Sequence, residues 1–115
     1  MSRLYFEFKF DFEEDETSQT LRFEMTLPEG IDHEDFWYGR GNASVLYETV
    51  FSDFDTLEEK YGIHDVDGSA NDGEFAVGFC TYEVPKDKTM ELMLLWKKKV
   101  DDCGITTGDI IEVAE

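Results

Sequence analysis

The stretch Leu4-Tyr5-Phe6-Glu7-Phe8-Lys9-Phe10-Asp11-Phe12 decides how this chain folds. Its residues alternate strictly, with Leu4, Phe6, Phe8, Phe10 and Phe12 on one side and Tyr5, Glu7, Lys9 and Asp11 on the other, the period of a strand with one buried face. Beyond the polar run Glu13 to Gln19 the alternation resumes. Leu21, Phe23, Met25 and Leu27 point inward, and Arg22, Glu24 and Thr26 outward. The two runs predict an antiparallel hairpin that ends at Pro28 and Gly30. Its acidic loop, Glu13-Glu14-Asp15-Glu16, must stay in water.

Further along, residues 31–42 show no clean period and carry Phe36-Trp37-Tyr38 ahead of Gly39 and Gly41, which predicts an ordered loop. From Ala43 the spacing becomes helical, with Leu46, Val50, Phe54, Leu57 and Tyr61 on one face, Asn42 as cap and Gly62 as stop. Asp55 and Glu58 have the spacing of an internal capping box, which predicts a break near Ser52. Asp65 to Gly73 reads as a loop. Glu74 to Val84 is apolar on both faces and therefore a central strand, closed by Pro85. Residues 87–103 favour a helix with Met93, Trp96, Val100 and Cys103 in register and Gly104 as stop, although Met90, Leu92, Leu94 and Trp96 also alternate as a strand would. Ile105, a turn over 106–109 and a short strand from Ile110 to Val113 complete the chain.

The expected order is β-β-α-β-α-β in one domain over residues 1–115, an α+β fold with helices on one face of a mostly antiparallel sheet. Element order and the ending Gly104-Ile105-Thr106-Thr107-Gly108-Asp109-Ile110-Ile111-Glu112-Val113 resemble a ubiquitin-type β-grasp module. Val113-Ala114-Glu115 lacks the diglycine tail of a conjugated modifier.

At 115 residues, 41% hydrophobic and 15% aromatic, the chain holds enough apolar material for a real core. Against 10 Lys+Arg stand 28 Asp+Glu, a net charge of −18. A phosphate backbone or an anionic membrane would repel such a surface, and the one basic run, Lys97-Lys98-Lys99, is short. The longest apolar stretch, Leu92 to Trp96, cannot span a bilayer, and charge interrupts the N-terminal residues before a signal-peptide core can form, so a cytoplasmic protein is expected. Cys80 and Cys103 are expected as buried thiols, with one disulfide as the alternative.

Motifs for chemistry are weak. Asp65, Asp67 and Ser69 have the alternation of a calcium loop, but Ala70 stands where the turn needs Gly and Ala76 where a bidentate Glu is required. His33 and His64 lack ligand-pair spacing, and no phosphate loop, nucleophile elbow or Cys-His signature occurs. Neither metal nor cofactor is expected, and no enzymatic activity.

The acidity carries the functional expectation. It can serve solvation alone, adapt a surface to high salt, or engage a basic partner. Retained Lys and the Phe-rich core weigh against salt adaptation. Carboxylates on rigid elements can imitate a phosphate array. The leading expectation is a non-enzymatic inhibitor of DNA-mimic type, like anti-CRISPR, anti-restriction or nuclease-immunity proteins. Such a protein occupies the basic cleft of a nucleic-acid-binding protein or nuclease complex and does not touch nucleic acid itself. The alternative is a β-grasp-like scaffold or regulatory interaction module whose acidity serves solubility. Candidate partner-binding residues are Glu7, Asp11, Glu13, Glu14, Asp15, Glu16, Glu24, Asp32, Glu34, Asp35, Asp65, Asp67 and Asp72, with Trp37 and Tyr38 as aromatic anchors unless they plug the core.

Overall fold

A computed structural model describes residues 3–52, 59, 62–71 and 74–113, of which 63–71 are described by their backbone. Strands β1 (Arg3–Phe12) and β2 (Thr17–Thr26) form the expected hairpin, with Phe6 opposite Phe23 and Phe8 opposite Leu21. The alternation places Leu4, Phe6, Phe8, Phe10, Leu21, Phe23 and Met25 on one fully covered face. The loop is Glu13–Glu16, as expected: Phe12 pairs with Thr17, and the turn is held by Asp15 N–H to Phe12 C=O at 3.2 Å and Glu16 N–H to Glu13 C=O at 3.3 Å.

Three segments differ from the sequence reading. Residues 31–42 contain a helix, α1 (His33–Tyr38), rather than loop alone. The Asp32 carboxylate accepts from the Glu34 N–H at 2.8 Å and the Asp35 N–H at 3.3 Å, and Gly39 closes the helix at φ 65°. One capped turn is too short to display a 3.6 period, which is why the pattern hides it. Secondly, residues 65–71 are not a loop but part of strand β3 (Ile63–Asn71). Polar and small residues suffice there because β3 is an edge strand, paired antiparallel to β4 (Glu74–Thr81) with an irregularity between Val66 and Ser69. Thirdly, Thr106–Thr107, read as turn, form a short strand β5 against Thr26 and Met25, and Ile111–Glu112 form β6 against Arg22 and Leu21.

Helix α2 (Ser44–Phe51) begins after a single 3-10 turn, Gly41–Ala43, and no side chain caps it, so Asn42 does not serve as its cap. The expected helical positions Phe54, Leu57 and Tyr61 lie outside the described residues. Helix α3 (Thr89–Asp102) confirms the helical reading of 87–103 and buries Leu92, Met93, Trp96 and Val100. The described order is thus β-β-α-α-β-β-α-β-β, an α+β architecture.

The sheet runs β3-β4-β1-β2-β5, with β6 also on β2. β4 is central, as expected, but lies parallel to β1, with Phe6 beside Val77 and Phe8 beside Phe79, so the sheet is mixed. Phe36 of α1, Val50 of α2 and Trp96 of α3 join one cluster with the β1 phenylalanines. Phe6 is its hub, with the rings of Phe23 at 5.0 Å, Phe79 at 5.2 Å and Trp96 at 5.3 Å. No described helix is long and apolar enough to cross a membrane. Cys80 and Cys103 are both free thiols.

Candidate functional site

Because β1 and β4 are parallel, both point their C-terminal ends at the hairpin turn. The chain leaving β4 therefore meets the acidic loop. Asp11, Glu13, Glu14, Asp15, Glu16 and Glu83 surround two shallow, open depressions floored by Phe12 and Tyr82. The larger has a volume of about 660 Å³. Tyr82 is 52% exposed and Phe12 half-buried, so an aromatic surface sits inside the carboxylate ring. The one ammonium lining either depression is Lys86, which pairs with Asp15 at 2.5 Å and stands 5.3 Å from the centre of the Phe12 ring.

The turn is held rigidly by the ten-residue strands on either side and contains local strain. Glu16 sits at φ 55°, the one positive-φ non-glycine among the described residues. The left-handed region costs a β-carbon-bearing residue roughly 1 kcal/mol, where a hairpin loop ordinarily uses Gly, Asn or Asp. A side chain kept there at a cost to folding is an observation that favours use of the Glu16 carboxylate.

Not all the sequence-predicted acids gather here. Glu7 lies opposite Arg22, and Asp11 approaches Lys9 at 3.9 Å. Glu24 is opposite Tyr5, whose ring also receives the Arg22 guanidinium at 4.2 Å. On the hairpin's uncovered side Arg3, Lys9 and Arg22 thus balance Glu7, Asp11 and Glu24. Asp32, Glu34 and Asp35 belong to α1, whose Trp37 packs on Phe75 at the far end of the sheet, beside Leu4. That end is on the order of 25 Å from the hairpin turn along β1. Arg40 Nε donates to Asp35 Oδ1 at 3.0 Å and approaches Glu34 at 3.8 Å, so this cluster carries its own cation.

Trp37 donates its indole N–H to the Ala76 carbonyl at 2.8 Å and is half-buried, which commits it to the fold. Tyr38 stays 55% exposed, its ring 4.5 Å from the Arg40 guanidinium carbon. Asp65 stands opposite Phe79 on the edge strand and Asp67 within its irregular stretch, while Asp72 lies outside the described residues. Tyr82 and Glu83 were missed by the sequence reading. The signal was present in the central-strand character of residues 74–84, but only the parallel pairing with β1 tells which end of β4 meets the turn.

Among the described residues no cluster of three His, Cys, Asp or Glu side chains could hold a metal ion. Burial, reinforced by the Asp11 charge and only partly offset by Lys9 and a hydrogen bond with Tyr82, pushes the Cys80 thiol up, which makes it a poor nucleophile at neutral pH. Comparison with protein-family models, with curated proteins and with solved structures finds no match to this chain.

Proposed function

We propose that this protein is a non-enzymatic acidic antagonist that inserts its hairpin turn into the basic, nucleic-acid-binding cleft of a partner protein. The observation that carries the reading is the ring of Asp11, Glu13, Glu14, Asp15, Glu16 and Glu83 around exposed Tyr82, at the end of a hairpin whose remaining face carries Arg3, Lys9 and Arg22 against Glu7 and Glu24. Carboxylates held on a stiff element meet Lys and Arg without an ordering penalty, and Tyr82 offers a ring on which a guanidinium can stack. Net charge −18 accelerates encounter with a basic surface and slows encounter with competing acidic ones.

The test is a set of substitutions made together, Glu13→Gln, Glu14→Gln, Asp15→Asn and Glu16→Gln. No buried apolar residue lies within the loop, so the thermal melt should hold or rise slightly as self-repulsion falls. Capture from source-cell lysate at about 0.05 M and about 1 M salt, where the Debye length falls to roughly 3 Å, identifies salt-sensitive partners. Association of the purified partner with the substituted protein should be slower and its salt dependence flatter. A partner bound equally well at both salt concentrations, or unaffected by the four substitutions, rules the reading out.

One observation favours a second reading, an interaction scaffold whose acidity serves solvation. The acids of α1 and of the hairpin turn occupy opposite ends and do not merge into one stripe. The central order β2-β1-β4-β3, two hairpins joined through helices with β1 and β4 parallel, supports a β-grasp-like scaffold. On this reading the four substitutions leave partner binding intact and lower solubility.

A further inference from the structure

Helix α3 carries a face that the core leaves bare. Its inward residues Leu92, Met93, Trp96 and Val100 are buried, whereas Leu94 is 53% and Leu95 45% exposed. With Glu91 and Lys98 these leucines share one side of the helix, at spacings of three, four and seven residues. Beside them Val84, Pro85, Leu92 and Leu95 line a groove of about 680 Å³. The surroundings are less acidic than the rest of the molecule. Lys86, Lys88, Lys97, Lys98 and Lys99 are half of the chain's 10 basic residues, and over residues 83–102 they balance Glu83, Asp87, Glu91, Asp101 and Asp102, with Glu83, Lys88, Glu91 and Lys98 lining the groove itself.

We infer that this face is covered by a second copy of the chain, α3 packing antiparallel on α3 about a two-fold axis that passes between Leu94 and Leu95. A two-fold contact requires one patch to complement itself. Here residues equally distant on either side of the Leu94–Leu95 bond face each other across the axis. Leu94 meets the partner's Leu95, Glu91 meets the partner's Lys98, and Lys88 meets the partner's Asp101, each contact occurring twice. A parallel arrangement would instead set Glu91 on Glu91 and Lys98 on Lys98. Lys98 has no ion-pair partner among the described residues, so it is free to make this one.

Long-range charge selects the same face. Two copies at −18 each repel wherever acids meet, and the charge-balanced helix α3 is a side on which that repulsion is weak. The antiparallel arrangement also separates the acidic turns. α3 starts beside the hairpin end, where Thr89 Oγ1 donates to Gln19 Oε1 at 3.0 Å, so the two turns lie at opposite ends of the paired helices. A 14-residue helix is roughly 21 Å long, about two Debye lengths at 0.1 M salt. One helix pair lies at the low end of interface sizes, so the dimer is a reversible one with a dissociation constant in roughly the micromolar to submillimolar range. The inference does not rest on the antagonist reading: the groove adjoins the carboxylate ring at Glu83 but does not include Glu13–Glu16 or Tyr82.

The test is sedimentation equilibrium of the full chain from about 10 μM to about 1 mM, a range chosen to bracket that affinity. Wild type should pass from monomer to dimer. Leu94→Glu should remain monomeric throughout while keeping its melting temperature, since the side chain it replaces is exposed. Glu91→Lys alone and Lys98→Glu alone each set like charges against each other twice and should weaken the dimer about tenfold or more, the equivalent of roughly 1.4 kcal/mol. An equimolar mixture of those two variants restores opposite charges at both contacts and should recover the dimer as a heterodimer. A wild-type chain that stays monomeric over the whole range overturns the inference, as does a dimer indifferent to Leu94→Glu. Single charge variants that fail to recover on mixing overturn the antiparallel two-fold arrangement.

Discussion

Phe6→Ala removes the ring on which both sides of the core converge. The Phe6 side chain is fully buried and touches Phe8 and Phe23 of the hairpin, Phe79 of β4, Phe51 of α2 and Trp96 of α3, with ring centres between 5.0 and 6.4 Å away. These partners belong to five different positions on rigid strands and helices and cannot all close on the vacancy, so the cavity term adds to the lost transfer term. A cost of about 3–5 kcal/mol follows. Domains of this size are stable by roughly 5–15 kcal/mol, so the variant should remain folded in the cold but lose about 12–20 °C of melting temperature, taking roughly 4 °C per kcal/mol. Urea unfolding followed by far-ultraviolet circular dichroism, with unchanged slope, should give the same free energy from the shift in midpoint. Phe12→Ala at the half-buried end of the same strand should cost less than half as much. A Phe6→Ala melt within about 3 °C of wild type would refute the placement of α2 and α3 over the phenylalanine face, because it would mean that the ring is not enclosed.

Glu16→Gly relieves the left-handed backbone at the hairpin turn and should raise stability by up to about 1 kcal/mol in urea unfolding, while slowing association with a basic partner if its carboxylate is in the contact. The Cys80 thiol, held above its ordinary value of 9.0 by burial, remains neutral in the folded chain when the unfolded chain has already ionised. Its contribution is therefore intact below pH 9 and is lost as pH rises through the folded value. Cys80→Ala should flatten the decline of the urea midpoint as pH rises above about 9 under reducing conditions, relative to wild type. Neutralising the α1 cluster with Asp32→Asn, Glu34→Gln and Asp35→Asn should leave partner association unchanged at 0.15 M salt, where 25 Å is about three Debye lengths, and slow it at about 0.01 M, where the Debye length is near 30 Å; surface plasmon resonance at the two salt concentrations reads both outcomes.

Much of the fold was legible because β1 and β2 alternate over their whole length, and a one-residue slip would have turned Phe6, Phe8 and Phe10 into water. The Phe8 ring is buried, as that alternation required. Helix α3 was legible through Met93, Trp96 and Val100 in spite of the competing strand pattern, since nine strong helix formers among fourteen residues outweigh a four-residue alternation. β3 was not, because an edge strand carrying Asp65, Asp67, Gly68 and Ser69 has neither apolar periodicity nor β-branched density to announce it. α1 was missed for want of length. The acidic loop was legible as exposed carboxylates, but its company with Tyr82 and Glu83 rests on the parallel β1–β4 ladder, a non-local pairing that leaves no trace in either segment alone.

The distribution of charge over this frame also restricts how a basic cleft can approach. The core occupies one side of the sheet, so the helices shield that side and α3 turns its lysines outward there. The uncovered side of the hairpin pairs Glu7 with Arg22 and Asp11 with Lys9, which leaves little net field over the centre of the sheet. On the proposed reading a cleft lined by Lys and Arg gains little at α3, whose three lysines are matched by Glu91, Asp101 and Asp102, and gains most at the hairpin turn. There six carboxylates face two ammoniums, Lys86 beside Asp15 and Lys9 beside Asp11. On the proposed antagonist reading the approach is end-on, along the strand axis, and its depth is limited by β4, which flanks β1 as far as Phe10 opposite Thr81, so that only the turn beyond Phe10 projects from the sheet. Lys9, one residue below that level, adds a like charge that opposes deeper entry. The contact on that reading is confined to the residues between Asp11 and Ser18 together with Tyr82 and Glu83.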